Sequence, residues 1–322
     1  MNKTEHTNAA AELLPLIKTG AAQQLPPEIT VLADAARELH GDSVCAVLFY
    51  GSCLRSGSVH EGLADLYLLV DDYRSAFNGS AMAFFNQLLP PNVFYLEVPF
   101  EGHVLRAKYA VLSLLDFRKG TEHWFHSYIW GRFCQRSSIV YFRDEFAGQQ
   151  VQEALAAAVI KFVMATLPQM KSPFTARELW SRGLALSYRS ELRTEQADEA
   201  AARLFDTAPE YYQALTQTLL ETSPVGTKIS FVSPHAYRLD VSERDQRRNL
   251  MTWRIRSLQG KVLSVLRLLK GLFTFKGGLD YIQWKIERHS GVRVEVSENL
   301  KRFPPLAMVV IFWQLFRQGA FR

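Results

Sequence analysis

The residues best placed to do chemistry are a Gly-Ser pair and an aspartate, which lie about a dozen positions apart. Gly51-Ser52 follows a run of apolar residues, and Asp65 lies inside a second apolar run. A Gly-Ser turn at the end of a strand lets backbone N–H groups approach a phosphate. A carboxylate among apolar neighbours is costly to bury unless it is paired or binds a metal. Together these features predict a nucleoside triphosphate held by the turn, with Mg²⁺ on Asp65.

Several cations near this pair are candidates to bind the phosphates. Lys108 lies in another apolar run, where a lysine either extends its ammonium group to solvent or meets an anion. A polyphosphate would supply that anion; the alternative is a structural ion pair. Arg55 follows the Gly-Ser turn, and Arg132 lies in a later segment that is predicted to be helical. Tyr50, directly before the turn, completes the predicted nucleotide site.

A second metal ligand is harder to find in the sequence. Residues i and i+2 of a strand share a face, and Tyr67 holds that position after Asp65. Asp71 has the right parity, but six residues at ~3.3 Å each place it roughly 20 Å away. Two-metal sites need ions about 4 Å apart. Glu97, which shares a strand face with Tyr95, is therefore the best candidate; the alternative is an edge-strand carboxylate in water.

A sheet must position these residues. Residues 46–50 and 63–70 are short and almost wholly apolar, which predicts strands covered on both faces. Residues 93–98 and 103–113 predict two further strands, with Glu101-Gly102 as a hairpin turn. Apolar spacing predicts helices around and after these strands, and hence an α/β (α+β) fold. The predicted helices are two within 8–40, then 75–89, 114–134, 151–167, 176–192, 197–220 (broken at 206–209) and 251–275.

The charge of the chain is unevenly distributed. Residues 244–322 hold 16 Lys and Arg against 5 Asp and Glu, whereas the remainder holds 21 against 27. Within this basic region, 251–275 is apolar but carries cations at three- to seven-residue spacing. That pattern is typical of an amphipathic helix on an anionic membrane surface. The cations expected to face the membrane are Arg254, Lys261, Arg267 and Lys270.

The apolar segment 306–316 contains Trp313 and is flanked by basic residues. It is too short to span a bilayer, which needs about 20 apolar residues, and it fits an interfacial anchor. The alternatives are a buried core helix and an oligomer interface. Nucleic acid is a poorer partner, because the basic residues alternate with aliphatic ones rather than with exposed aromatic or polar residues.

The cysteines and the N-terminal residues indicate the cellular compartment of the protein. Cys45, Cys53 and Cys134 form no metal-ligand spacing, which fits reduced thiols in an intracellular enzyme. The first residues have neither a basic start followed by an apolar run nor an arginine-rich composition. They therefore predict neither a secretory signal nor a mitochondrial transit peptide. We expect a protein of the bacterial cytoplasm, peripheral on the inner face of the cytoplasmic membrane.

The strand, Gly-Ser turn and acid-bearing strand resemble the polymerase-β-type nucleotidyltransferases. Further motifs resemble one branch of them, the mitochondrial-type phosphatidate cytidylyltransferases of the translocator assembly and maintenance family. The matching segments are Tyr50-Gly51-Ser52, then Asp65 with Asp71-Asp72, then 108–113 (KYAVLS) and 128–132 (YIWGR).

The resemblance implies transfer of CMP from CTP to phosphatidate, forming CDP-diacylglycerol for phospholipid and cardiolipin biosynthesis. Asp65 would hold Mg²⁺, Gly51 and Ser52 would bind the phosphates, and Lys108 and Arg132 would neutralise the leaving charge. One alternative is a catalytically inactive nucleotide-binding or scaffold protein of the same fold. Another is nucleotidyl transfer to a protein or RNA. The expected regions are N-terminal helices (1–40), a nucleotidyltransferase domain (41–148), a helical, winged-helix-like domain (149–243) and a basic amphipathic region (244–322).

Overall fold

The computed structural model describes residues 3–57, 62–191, 197–222, 229–233 and 235–274. Within these ranges the chain has an α/β fold of eight strands and twelve α-helices. The strands are β1 (Val44–Tyr50), β2 (Ala64–Val70), β3 (Asn92–Phe100), β4 (His103–Ser113), β5 (Ser138–Phe142), β6 (Phe174–Thr175), β7 (Ile229–Ser233) and β8 (Ala236–Leu239). The helices are α1 (Lys3–Ala21), α2 (Pro27–Glu38), α3 (Ser52–Ser56), α4 (Tyr73–Ala76), α5 (Ala81–Leu88), α6 (Leu114–Glu122), α7 (Trp130–Phe133), α8 (Glu145–Thr166), α9 (Ala176–Tyr188), α10 (Ala197–Asp206), α11 (Pro209–Thr222) and α12 (Glu243–Thr274).

The main sheet has the strand order β3-β4-β2-β1-β5. β2 runs parallel to β4, and the other neighbouring pairs are antiparallel. The register pairs Tyr50 with Asp65, Asp65 with Lys108, and Lys108 with Tyr95. Paired residues of neighbouring strands point to the same face. The sheet therefore places these four side chains in one row across its centre.

Both faces of this sheet are covered, as the uninterrupted apolar strands predict. One face packs against α2 through residues such as Val47, Phe49 and Leu66. The opposite face, which includes Leu48 and Tyr67, packs against α8 and the helices beyond it. The predicted strands and the Glu101-Gly102 turn are confirmed, and both turn residues have positive φ angles.

Two predicted helices are interrupted in the structure. The helix expected over 75–89 is divided into α4 and α5, because Asn78 and Gly79 have positive φ angles of 50° and 67°. The helix expected over 114–134 is divided into α6 and α7. Between them, the Trp124 and Phe125 carbonyls accept hydrogen bonds from the side chains of Trp130 and Arg256. These carbonyls are free to do so because they are outside the helical ladder.

The helical region shares a core with the sheet. The expected boundary at residue 149 lies inside α8, whose buried residues belong to one cluster with Tyr67 on the sheet and Trp180 on α9. α8 is apolar and long enough to cross a membrane by length and composition, but most of that stretch is buried in this core. A small sheet of β6, β8 and β7 accompanies α9 to α11. The winged-helix-like assignment stays a prediction.

The predicted amphipathic helix lies within α12, and Arg254 and Lys261 are exposed as expected, but the other two predicted membrane cations face the protein. Lys270 is buried and donates to the carbonyl oxygens of Leu89 and Pro91, at 2.5 and 2.7 Å. Arg267 donates to the Pro90 carbonyl at 3.1 Å. These backbone acceptors, in the turn between α5 and β3, hold the two cations against the protein. The prediction that Arg267 and Lys270 face a membrane is therefore wrong; the predicted anchor around Trp313 lies outside the described residues.

Candidate active site

The row across the sheet contains an ion pair between two of the predicted site residues. Lys108 Nζ lies 2.8 Å from Asp65 Oδ1, and the two side chains are 35% and 19% exposed. Gly51 approaches the same carboxylate, since a Cβ built on this glycine would lie 2.6 Å from Asp65 Oδ2. The structure thus brings together the turn, the carboxylate and the cation that the sequence predicted.

The backbone of the turn explains why glycine occupies position 51. Gly51 has φ 91° and ψ −160°, a conformation that residues with a Cβ rarely adopt. The short helix α3 follows at once and begins with the exposed Ser52. The buried Cys53 donates from its thiol to the Leu63 carbonyl at 3.2 Å, which ties α3 to the start of β2. The turn is therefore held beside Asp65 from both sides.

Tyr67 occupies the position where a second carboxylate was sought, and it binds Arg132 instead. Arg132 Nη1 donates to the Tyr67 hydroxyl at 3.1 Å, and Nη2 donates to Glu191 at 3.4 Å. The guanidinium also lies 4.3 Å from the centre of the Tyr128 ring and 5.7 Å from that of Tyr50. Although burial disfavours its charge, Tyr67 and Glu191 raise the pKa of Arg132 well above its ordinary value. Arg132 is therefore a fixed cation behind the ion pair.

Tyr128 joins this cluster to the C-terminal helix. The Arg267 guanidinium of α12 lies 3.9 Å from the centre of the Tyr128 ring. Tyr67 hydrogen-bonds to Tyr128. Burial favours the neutral phenol, but the charges of Arg132 and Arg267 lower the pKa of Tyr128. Sequence reasoning recorded Tyr128 only as part of a motif and assigned Arg267 to a membrane surface, because no local pattern signals a contact between residues so far apart in the chain.

The other carboxylates on these strands lie away from Asp65. Asp71, at the far end of β2, forms an ion pair with Arg143, and its two oxygens accept at 2.5 and 3.1 Å. Glu97 accepts from the Tyr95 hydroxyl at 2.7 Å and from Arg106 at 3.1 Å. It lies two strands and two residues from Asp65, roughly 12 Å between Cα atoms at ordinary sheet spacings. The structure does not bring the second predicted metal ligand to the first.

Arg55 also lies away from the row. It is exposed on α3 and lines a cavity of about 60 Å³ with Arg136 and Tyr212. This cavity lies where α3 meets the loop before β5 and the helices α10 and α11. Its role in binding the nucleotide stays a prediction.

The donor set at Asp65 suits a magnesium ion that arrives with a nucleotide. Among the described residues, no group of three or more His, Cys, Asp or Glu side chains is placed to hold a metal. Mg²⁺, however, commonly binds one or two carboxylates and completes its shell with substrate phosphates and water. Asp65, a single carboxylate against the Gly51 backbone, fits that arrangement.

Comparisons with known proteins do not carry the assignment of the fold. No protein-family profile matches the sequence, and no curated protein matches it either. The structure is similar to that of a nucleotidyltransferase-like protein from Exiguobacterium sibiricum, with 11% identity and a TM-score of 0.27. That similarity covers 91% of this chain and 92% of the other. The α/β assignment rests on the strands and helices described above.

Proposed function

We propose that this chain is a nucleotidyltransferase with its reaction centre at Asp65 and Lys108. The observation that carries the proposal is the contact of three elements at one carboxylate. The Gly51 backbone lies against one oxygen of Asp65, and the Lys108 ammonium pairs with the other. A turn, a metal-binding acid and a phosphate-binding cation are the parts that phosphoryl-group chemistry needs in one place.

Lys108 and Asp65 neutralise each other in the structure, and we expect binding of a nucleotide to separate them. A bound Mg²⁺ would neutralise part of the triphosphate charge. Asp65 would then exchange its ammonium partner for the metal, while Lys108 turns to the phosphate oxygens. Lys108 is 35% exposed, so its side chain has solvent-accessible space for this movement. Arg132, held by Tyr67, would supply a fixed positive charge behind the leaving pyrophosphate.

The acceptor we propose is a phosphomonoester, and specifically phosphatidate, with CTP as the donor. Of the described carboxylates on β3 and at the end of β2, Glu97 is bound by Tyr95 and Arg106 and Asp71 by Arg143, so neither is placed beside Asp65 to act as a general base. A phosphomonoester has a second pKa near ~6 and is mostly a dianion at neutral pH, so it needs no base. Its oxygen would attack the α-phosphorus of CTP, the bond to the β-phosphate would break, and pyrophosphate would leave. The sequence motifs around Tyr50 and Lys108 support this choice of substrate.

Phosphatidate resides in a bilayer, so the proposal includes contact with an anionic membrane surface. Arg254 and Lys261 remain exposed on α12 and can take part in that contact. We assign the main contact to the chain beyond residue 274, which includes Trp313. The proposed location is the inner face of a bacterial cytoplasmic membrane.

A catalytically inactive nucleotide-binding protein is the second candidate. The ion pair of Asp65 with Lys108 favours it, because the two charges neutralise each other without a ligand. The test is pyrophosphate release by the purified protein with Mg²⁺, phosphatidate vesicles and each of the four nucleoside triphosphates. Release with CTP that disappears in Asp65→Asn supports the transferase. Nucleotide binding without release in every case supports the inactive protein.

A further inference from the structure

Helix α12 turns three of its cations, Arg256, Arg267 and Lys270, toward the protein and many of its aliphatic side chains toward solvent. Trp253, Arg256, Gly260 and Lys270 recur at helical spacing on the buried face. Arg256 donates to the Phe125 carbonyl at 2.7 Å and lies 4.4 Å from the ring centre of Trp253. An amphipathic helix normally packs its apolar face on its own protein. The exposed aliphatic face of α12 therefore indicates a surface that binds another molecule.

The spacing of the outward residues indicates what kind of partner this is. They alternate in steps of four and three, which is the a and d pattern of a heptad repeat. We call these residues the outer seam; each is between 46% and 67% exposed. The outer seam consists of Met251, Ile255, Leu258, Val262, Val265 and Leu269.

The outer seam is narrow over most of its length. Arg254 and Lys261 border it on one side, and Gln259 borders it on the other. A strict a and d stripe between polar borders is the geometry of a coiled-coil contact, whereas a bilayer needs a broad apolar face. Leu266 and Leu268 widen the stripe only toward its C-terminal end. The pattern favours a second helix over lipid.

The order of residues in the outer seam favours a second copy of the same helix. The a positions hold Ile255, Val262 and Leu269 and the d positions hold Met251, Leu258 and Val265, so the central residues Ile255, Leu258 and Val262 have the β-branched a and leucine d combination that favours two parallel strands. In a parallel pair, each g residue faces the e residue of the next heptad on the partner. Arg254 of one copy would then face Gln259 of the other copy, so the two Arg254 side chains do not meet each other. In an antiparallel pair centred on the outer seam, Lys261 would face its own copy.

We infer that two copies of this chain associate through the outer seam, with their α12 helices parallel. The seam spans 18 residue steps, about 27 Å of helix. Each protein body lies on the opposite side of its own helix, because Arg256 and Lys270 hold the inner face. The two bodies therefore lie on either side of the helix pair. This association does not depend on the proposed activity.

The oligomeric state of the full-length protein tests the inference. Light scattering after size exclusion should give twice the chain mass of 36.7 kDa, and Leu258→Glu should return the mass to that of one chain. Leu115→Glu is the matched control, since Leu115 on α6 is a similarly exposed leucine. The control should keep the wild-type mass. A wild type that is monomeric at every concentration at which it stays soluble would overturn the inference.

Cross-linking tests the parallel arrangement. In a parallel pair Met251 meets Met251 of the second copy, so Met251→Cys should form a disulfide-linked dimer on mild oxidation. The native cysteines of the described region are buried and should not contribute. In an antiparallel pair residue 251 would meet residue 269, and only a mixture of Met251→Cys and Leu269→Cys would cross-link. That outcome overturns the parallel arrangement. A wild type that is monomeric, and that binds anionic vesicles in a way that Leu258→Glu abolishes, overturns it as well, because the outer seam would then bind lipid.

Discussion

At the scale of single residues, Asp65 and Lys108 form a partly exposed pair whose members satisfy each other. Pairs of this kind contribute about 0–1 kcal/mol to stability, because solvent screens them. The structure therefore gives the pair little value as a stabilising contact. Its position beside the Gly51 turn, in a row whose other side chains are aromatic, fits the ligand-binding role that we propose for it.

Gly51→Ala should remove activity by displacing Asp65. The added Cβ would lie 2.6 Å from Asp65 Oδ2 and would also be strained at φ 91°. Gly57→Ala is the matched control, since Gly57 also has a positive φ of 70° but has no neighbouring atom within 4 Å of the added Cβ. Gly57→Ala should lose about 1–2 kcal/mol of stability from its left-handed backbone alone, and Gly51→Ala should lose about 1–3 kcal/mol from its backbone conformation, with the contact to Asp65 in addition. Only Gly51→Ala should lose nucleotide binding in a titration; equal binding by the two variants would contradict a phosphate site at this turn.

Asp65→Asn should lower nucleotidyl transfer by about 100-fold or more, a loss of roughly 3 kcal/mol of transition-state stabilisation. Its melting temperature should change by only a few degrees, because the lost pair is partly exposed. Lys108→Ala should also reduce the rate, and Lys108→Arg should retain part of it if the role of Lys108 is charge. Loss of folding in Lys108→Ala, with Asp65→Asn fully active, would make the pair structural.

Much of this centre was predictable from the sequence, since Gly51, Asp65 and Lys108 each break an apolar pattern locally. The supporting cluster was not predictable, because its contacts join distant segments. Arg267 reaches Tyr128 across more than a hundred positions, and no periodicity signals that pairing. Tyr67 illustrates the same limit. The sequence shows that it holds the position where a second acid was sought, but only the fold shows that it binds Arg132.

At the scale of elements, strands were easier to predict than helix interruptions or helix orientation. A strand that is covered on both faces has an uninterrupted run of apolar residues, and the ends of these runs predict the ends of β1 and β2. The outward side of α12 could not be inferred, because its apolar face would ordinarily be assigned to the core. Arg267 and Lys270 turn inward because backbone carbonyls in the turn 89–91 accept hydrogen bonds from them. Those acceptors exist only once the turn has folded.

Lys270 should make the stability of the protein depend on pH. Burial, together with the charge of Arg267, lowers the pKa of Lys270 from 10.5 to about 7. The unfolded chain then binds more protons than the folded one between these two values, so the free energy of unfolding rises with pH across this interval. Each such group contributes at most about 1.4 kcal/mol per pH unit. The neutral amine still has two N–H bonds for the Leu89 and Pro91 carbonyls.

Urea unfolding of the wild type at pH 7 and pH 9 measures this effect. Lys270→Met should show a smaller gain in unfolding free energy between the two values than the wild type. Lys161, whose pKa burial and Arg256 lower to about 8, should keep part of the gain in that variant. Lys261→Met, an exposed change on the same helix, is the control and should behave as the wild type. Equal gains in all three proteins would contradict the role assigned to Lys270.

At the scale of the whole molecule, the chain separates an acidic body from a basic C-terminal region. Residues 244–322 carry 16 of the 37 Lys and Arg but only 5 of the 32 Asp and Glu. Within α12, however, Arg256, Arg267 and Lys270 serve the interior. The cations left for an anionic surface are therefore the exposed ones on α12 and those of the chain beyond it. Composition alone overstated how much of this charge is available to a membrane.

Deleting residues 302–322 should separate membrane binding from catalysis, on the proposed lipid function. The deletion removes three arginines and the apolar run around Trp313. Each basic residue near an anionic surface contributes about 1 kcal/mol, so vesicle binding should weaken by up to ~100-fold from charge alone. Activity on phosphatidate in vesicles should fall with it, while activity on a short-chain, water-soluble phosphatidate should survive. The reaction centre, which lies within the described residues, is left intact.

A charge-only variant sharpens this test. Replacing Arg302, Arg317 and Arg322 by Gln keeps the apolar run, and it should weaken vesicle binding most at low salt. At ~0.15 M salt the Debye length is about 8 Å, so the difference from the wild type should shrink as salt is raised. A deletion that abolishes both activities and leaves the protein insoluble would mean that the apolar run is packed core. Unchanged binding in both variants would remove this segment from the membrane contact and leave the exposed cations of α12 as its source.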